Sequence, residues 1–586
     1  MRRLALRFLC TLLASLALTL PACALDRTAF AFKTTDLQVT LDPAQHALYA
    51  EGKVEAVNRS KQPQRDVVLQ VSSTLRWVNV LADGEEVEWL QQFYTTDVDH
   101  TGALSEAIVH LPKAIEPGGT VTLNVRYSGV VTKDATRLER IGTPAAIARR
   151  SDWDEIDDRF TALRGIGHVA WYPVAMEAVS LEQGNELFEA LRAWREERSG
   201  VLKIEVRRTP LPGDDETPYL IVTSDPASKP GPEVKAEFRG VDPVLVLLHD
   251  AVSTTDRPRV AAYYTKSNVT HARDYMAATE SVIPALEEWF GTPRSRIVLV
   301  ELTDPNALPY DVGSFFFAPM RSVVAAGAEV ALARPVAHSM IESPRPWIRE
   351  GLTGFAQAIV REHQGGRRDA LAYLGEFAPA LIVAEAQASG AAAKEPAKPG
   401  EDPLATTGPQ PLVTTSDEIF FRTKAAYVWW MLRDMVGDLP LQLALARYRA
   451  EDDHDSGYMQ RVLEAQLPKG TSLETFFDGW VYRDKGLPQL KVDSAYVRQT
   501  MNGKTVTAVT IENLGDLWCE VPVAVRGAGG ENNVRVAVPA HGKAVVRIPF
   551  EKTPTEAEVN DGSVPESEPR DNIVQIASAP AEAAKP

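Results

Sequence analysis

Pro335-Val-Ala-His338-Ser-Met-Ile-Glu342-Ser-Pro-Arg-Pro-Trp347-Ile-Arg-Glu350-Gly351-Leu-Thr-Gly354-Phe-Ala-Gln carries the densest chemistry in this chain of 586 residues. Pro335 suits the first position of a helix, where its missing N–H goes unneeded. His338 and Glu342 are four residues apart, so on a continuous helix both project from one face. Pro344 and Pro346 break that helix, and a second is expected from Trp347, with Glu350 in its first turn. Two ligands on one helix and a carboxylate on the next form a donor set by which protein groups hold a catalytic zinc. Each residue also has a structural reading. His338 could be a hydrogen-bonded core histidine, and Glu342 could cap or solvate a helix end. Glu350 near a helix N-terminus is favourable electrostatically without a metal.

The surrounding chain is helical on both sides of this stretch. Tyr275, Ala278, Val282, Leu286 and Trp289 follow helical spacing and stop at Gly291. Ile297 to Leu302 reads as a short apolar strand, and further helices are expected over 335–343, 347–363, 368–388, 421–436, 439–450 and 457–466. Ala388 to Pro411, rich in Ala, Pro, Gly and Lys, reads as a mobile loop. Upstream, residues 25–268 alternate with period two, as in Leu37, Val39, Leu41 and in Val121, Leu123, Val125, Tyr127. That pattern predicts antiparallel sheets with one buried face. Glu182 to Arg198 is an expected helical insertion. Downstream, alternation returns after Leu490 and predicts a small β-sandwich over 489–552, followed by a disordered Pro/Glu/Ala-rich tail over 553–586. The expected fold class is multidomain α+β: an N-terminal β domain (25–268), a mainly helical domain (269–488) and a C-terminal β-sandwich.

At this level the chain resembles a known family. Trp347-Ile-Arg-Glu350-Gly351 followed by Phe355-Ala356 is similar to a segment of the zinc aminopeptidases of the aminopeptidase N and leukotriene-hydrolase type, which are gluzincin metallopeptidases with a thermolysin-like catalytic domain. Val336-Ala337-His338 resembles the start of their His-Glu-x-x-His helix. Lys424-Ala425-Ala426 with Met431-Leu432 resembles their lysine–glycine–alanine helix. Phe476-Phe477-Asp478-Gly479-Trp480 and Gly486-Leu487-Pro488 resemble the end of their catalytic domain. The resemblance spans roughly residues 30–550 and lies in the order and spacing of motifs, none of them intact. It implies zinc held by His338, Glu342 and Glu350. A His/Glu/Glu set is harder than His/His/Glu, so an oxygen-preferring metal also fits.

The departures bear on activity. The family's general-base glutamate, which follows the first histidine, is Ser339 here. The second histidine falls at Glu342, and only seven residues separate it from Glu350. An alternative alignment deletes the second histidine together with a turn, and Glu342 is then not its equivalent. The amine-anchoring glutamate of the exopeptidase loop falls at Phe316, within Gly313-Ser314-Phe315-Phe316-Phe317. The oxyanion tyrosine falls near Phe421, in Phe420-Phe421-Arg422-Thr423. Tyr427 is one turn further on and is expected to point elsewhere. Losing a general base costs ~10²–10⁴ in rate and losing an oxyanion donor ~10²–10³. Peptide hydrolysis by the family's route is therefore expected to be near background. The resemblance implies a catalytically degenerate relative, a pseudoenzyme whose cleft binds peptide or protein. The alternative is an active zinc metallohydrolase with altered ligands, Glu342 or Glu350 as base, and no need of a free amine.

The ends and the composition bound the setting. Arg2, Arg3 and Arg7 precede an apolar run from Phe8 to Leu20 and then Ala22-Cys23-Ala24, the pattern of a secretory signal peptide over 1–24. Export to the periplasm or outside the cell is expected, with a lipid anchor at Cys23 as a minor alternative. Cleavage would remove two of the three cysteines and leave Cys519, so no internal disulfide is expected. No second apolar run reaches membrane length, so a soluble chain is expected. A net charge of −17 repels phosphates and argues against nucleic-acid partners. Asp452-Asp453-His454-Asp455 reads as a solvated acidic tip.

Overall fold

The computed structural model describes residues 25–183, 186–210, 218–321, 325–392, 411–499 and 505–576. The expected leader, nearly all of the expected loop beyond Ala392, and the last residues of the chain lie outside them. The architecture is mixed α+β, with β-sheets at both ends and helices in the middle.

The N-terminal sheets follow from the alternation in the sequence. In a seven-stranded sheet, Phe30–Asp42 pairs antiparallel with Ala47–Asn58, the central strand, and parallel with Val201–Arg208. Leu37, Val39 and Leu41 of that strand are buried, while Asp36, Gln38 and Thr40 lie on the other face. A three-stranded sheet of Gln64–Ser72, Ala103–Ile115 and Glu88–Thr95 shares its core. The expected insertion is the helix Glu186–Ala193, continued by a wider turn over Trp194–Arg198, with Trp194 buried against Phe32.

The middle region is built on a five-stranded sheet. Val260–Thr265, Ile297–Glu301 and Phe315–Ala318 run parallel, and Ala251–Thr254 and Tyr310–Val312 form antiparallel edges. The hairpin 251–265 belongs to this sheet, so the expected boundary at 268 falls too late. Helices Val269–Phe290 and Ala325–Met340 pack on one face of the sheet, Pro346–Gly365 packs on those two, and Ala425–Val436 packs on Pro346–Gly365, all within one core. The other face packs against a four-stranded sheet of the N-terminal region through Trp153, Phe160, Val246, Val300 and Phe317.

The C-terminal strands form two sheets, Leu490–Gln499 with Thr505–Asn513 and Gly542–Phe550, and Gly530–Val538 with Cys519–Gly527, Pro554–Val559 and Ile573–Gln575. Cys519 is a buried free thiol. The disordered tail expected from 553 is corrected here. Ala557 and Val559 are buried, and their strand pairs with Cys519–Gly527 on one side and Ile573–Gln575 on the other. The Pro/Glu-rich composition hid a short alternating run, Thr555 to Val559. No helix among the described residues is long and apolar enough to cross a membrane.

Candidate functional site

The helix bearing His338 runs from Ala325 to Met340, with Pro335 inside it and not at its start. The expected helix over 335–343 is thus corrected at both ends. The helix stops before Glu342 because Ser343-Pro-Arg-Pro346 cannot continue it, and Arg294 N–H caps the Ser339 carbonyl at 2.7 Å. The four-residue spacing of His338 and Glu342 therefore does not put them on one face. Glu342 lies beyond the helix, exposed, and accepts a 2.6 Å hydrogen bond from Arg294.

Glu350 is held in place by the packing of its own helix, Pro346–Gly365. Trp347 stacks on Trp429 with ring centroids 5.1 Å apart, and the Trp429 indole donates to the Trp347 carbonyl. A Cβ at Gly351 would come within 2.6 Å of Ala425 Cβ, and one at Gly354 within 2.9 Å of Ala426 Cβ. Small residues on both partners let this helix lie close against Ala425–Val436. The Glu350 side chain is thereby directed toward the His338 helix and buried there.

His338 and Glu350 do meet, with His338 Nε2 lying 3.3 Å from Glu350 Oε2. On its other side, His338 Nδ1 lies 3.6 Å from Asp311 Oδ2, on the edge strand of the sheet. Three arginines complete the cluster. Arg349 donates to Glu350 Oε1 at 3.2 Å. Arg334, one turn before His338, donates to Asp311 at 3.1 Å and lies 3.5 Å from Glu350. Arg422 lies 3.7 Å from Glu350 and also pairs with Glu418. Burial raises the Glu350 carboxyl pKa, but the His338 hydrogen bond and the charges of His338, Arg422 and Arg334 outweigh it. Glu350 is held well below the usual carboxylate range.

This donor set does not fit a zinc ion. A catalytic zinc needs three protein ligands, and here one histidine and one carboxylate come together while Glu342 points away. Both oxygens of Glu350 already face cations, which repel a further one. Among the described residues no group of three or more His, Cys, Asp or Glu side chains could hold a metal.

The remaining expected positions have structural partners. Ser339 is buried and its hydroxyl donates to the Val336 carbonyl at 2.6 Å. Phe316 is buried in the sheet, in register with Leu299 and Asp311. Phe421 is half-buried against the same core. Tyr427 is buried away from the cluster, and burial raises its pKa. Lys424, in the lysine–alanine motif, is buried between Glu385 at 2.6 Å and Asp484 at 2.9 Å. The acidic tip is only partly solvated, since Asp453 is buried and binds Arg345 and Tyr448 beside the break between the two site helices.

Asp311, Arg334, Arg349 and Arg422 were not singled out from the sequence. Arg334 stands one turn before His338, a signal usable only if the helix is known to begin upstream of Pro335. Arg349 adjoins Glu350. Nothing local marks Asp311 or Arg422.

No family model matches the chain, and no curated protein matches it. Among solved structures, it is similar to an M1 zinc metallopeptidase from Deinococcus radiodurans, at 16% identity and a TM-score of 0.44, over 79% of this chain and 95% of that one. It is also similar to a single-residue mutant of an M1 zinc metallopeptidase from the same organism bound to a Tyr-Ser-Ala substrate. There the identity is 15% and the TM-score 0.44, over 78% of this chain and 94% of that one.

Proposed function

We propose that this chain is an exported, aminopeptidase-N-like protein that has kept the helical cleft of a metallopeptidase, has lost its metal centre, and binds peptide there without cleaving it. The observation that carries this reading is the state of Glu350. Its carboxylate is held by His338 and three arginines, an arrangement that neutralises its charge, makes it a poor base at neutral pH and leaves no oxygen free for a metal. Ser339, at the general-base position, is tied to its own helix. Phe316, at the amine-anchoring position, is packed in the sheet. The basic, apolar and small-residue pattern of the first 24 residues supports export.

The direct test is hydrolysis. Purified chain is incubated with aminoacyl anilides and with blocked and unblocked peptides, with and without added zinc. No cleavage above background is expected in any mixture. Cleavage that disappears in His338→Ala would overturn the reading.

A further inference from the structure

A pocket of about 290 Å³ opens beside Glu350, between the Glu350 helix, the helices Arg367–Gly375 and Ala378–Ala392, and the turn Ile419–Lys424. Its walls are mostly apolar, formed by Leu374, Phe377, Ala380, Ile419 and Ala426. Phe377 and Ala380 form an exposed rim. This combination of size and apolar lining with a few polar groups suits one large side chain and the peptide unit that bears it.

The polar groups fall into two sets. The charged ones are already matched. Glu350 faces His338, Arg334, Arg349 and Arg422, Glu418 pairs with Arg422, and Arg334 also binds Asp311. A charged ligand group would have to break one of these pairs in a part-buried setting, where an abandoned partner is costly. The second set is uncharged or unsatisfied. Gln357 donates through Nε2 to the Val330 carbonyl, and its Oε1 accepts no hydrogen bond among the described residues. Tyr373 and Thr423 also line the pocket, and among the described residues neither hydroxyl makes a hydrogen bond. Burial pushes Tyr373 up to about 12, so its hydroxyl remains a donor at neutral pH. Donors and an acceptor left over around an apolar pocket are what a backbone C=O and N–H require.

We propose that this pocket seats one bulky aliphatic or aromatic residue from within an uncharged stretch of peptide, and takes neither a free amino terminus nor an acidic or basic side chain. The proposal rests on the peptide-binding reading above and specifies its ligand.

The test uses heptapeptides acetylated at one end and amidated at the other, identical except for a central Leu, Phe, Asp or Lys, with a free-amine form of the Leu peptide. Affinities are measured by calorimetry on the full chain. The Leu and Phe peptides should bind at least about tenfold more tightly than the Asp and Lys peptides, because a charge in the pocket leaves buried pairs broken. Freeing the amino terminus should give no gain. Ala380→Trp, at the exposed rim, should abolish binding while the melting curve stays unchanged. Tyr373→Phe should weaken binding by about fivefold through loss of one hydrogen bond. Arg294→Ala, outside the pocket, should bind as wild type. Tighter binding of the charged or free-amine peptides, or binding indifferent to Ala380→Trp, overturns the proposal and leaves peptide binding standing. Absence of binding by every peptide overturns both. Cleavage of the bound Leu peptide contradicts the non-catalytic reading alone.

Discussion

Glu350 is the centre of an ion-pair cluster, faced by His338 and three arginines. Removing its charge should uncover the arginines packed around it. Glu350→Gln is expected to lower stability at pH 7 by about 3 kcal/mol, the cost of leaving buried partners unmatched, as read from denaturant unfolding. Because the folded carboxyl titrates below its ordinary value of 4.5, its contribution is present above that pH and is lost as the pH falls below it. The gap between wild type and Glu350→Gln should therefore narrow in acid. A gap that is constant with pH would show that the charge is not what matters. His338 and Glu350 could be picked out from the sequence because helix breaks and capping signals are local. Glu342 could not be placed correctly, since its direction depended on where the helix ended. The arginines that decide the chemistry come from three separate segments, brought together by tertiary packing.

Among the elements, the β-strands and helices with strong periodicity were legible, and those with mixed signals were not. Pro335 reads as a helix start, but the helix extends upstream, and burial of Val330, Leu332, Ala333 and Val336 outweighs the lost backbone hydrogen bond. The strand Pro554–Val559 was masked by its Pro and Glu content, yet it fills a place between two other strands. Glu566 beyond it is buried and accepts from Asn560, Asn572 and the Leu490 N–H, which fastens the end of the chain to the first strand of the sandwich. A chain ending at Lys552 should therefore lose the cooperative unfolding of its C-terminal sandwich and expose Cys519 to thiol reagents. A truncated chain with wild-type melting and a protected thiol would contradict the assigned strands.

Across the whole molecule, the N-terminal sheets and the middle region meet at a polar seam that reaches the candidate site. Tyr310 donates to Asp242 at 3.3 Å and lies edge-on to His168, while the next residue, Asp311, faces His338 and Arg334. Arg164 binds Asp154 and covers the Trp153 ring. Burial, with Arg164 nearby, pushes His168 down to about 4. A histidine that stays neutral in the folded chain but charges near 6.5 when unfolded contributes stability above that pH, and loses it as the pH falls toward 4. Unfolding midpoints measured from pH 7 to 4 should fall, and His168→Gln should flatten that fall. An unchanged slope would place the acid sensitivity elsewhere. The order of regions was legible because each has its own hydrophobic period. The seam was not, because its residues are scattered from Trp153 to Asp311 and meet only when the sheets pack.

In the proposed reading, arginines around Glu350 take the place of a metal. Zinc content decides it most directly, measured by mass spectrometry on chain produced in zinc-supplemented medium and then freed of loosely bound ions, beside Glu350→Gln. Far less than one zinc per chain is expected in both proteins. One zinc per wild-type chain, lost in Glu350→Gln, would contradict it.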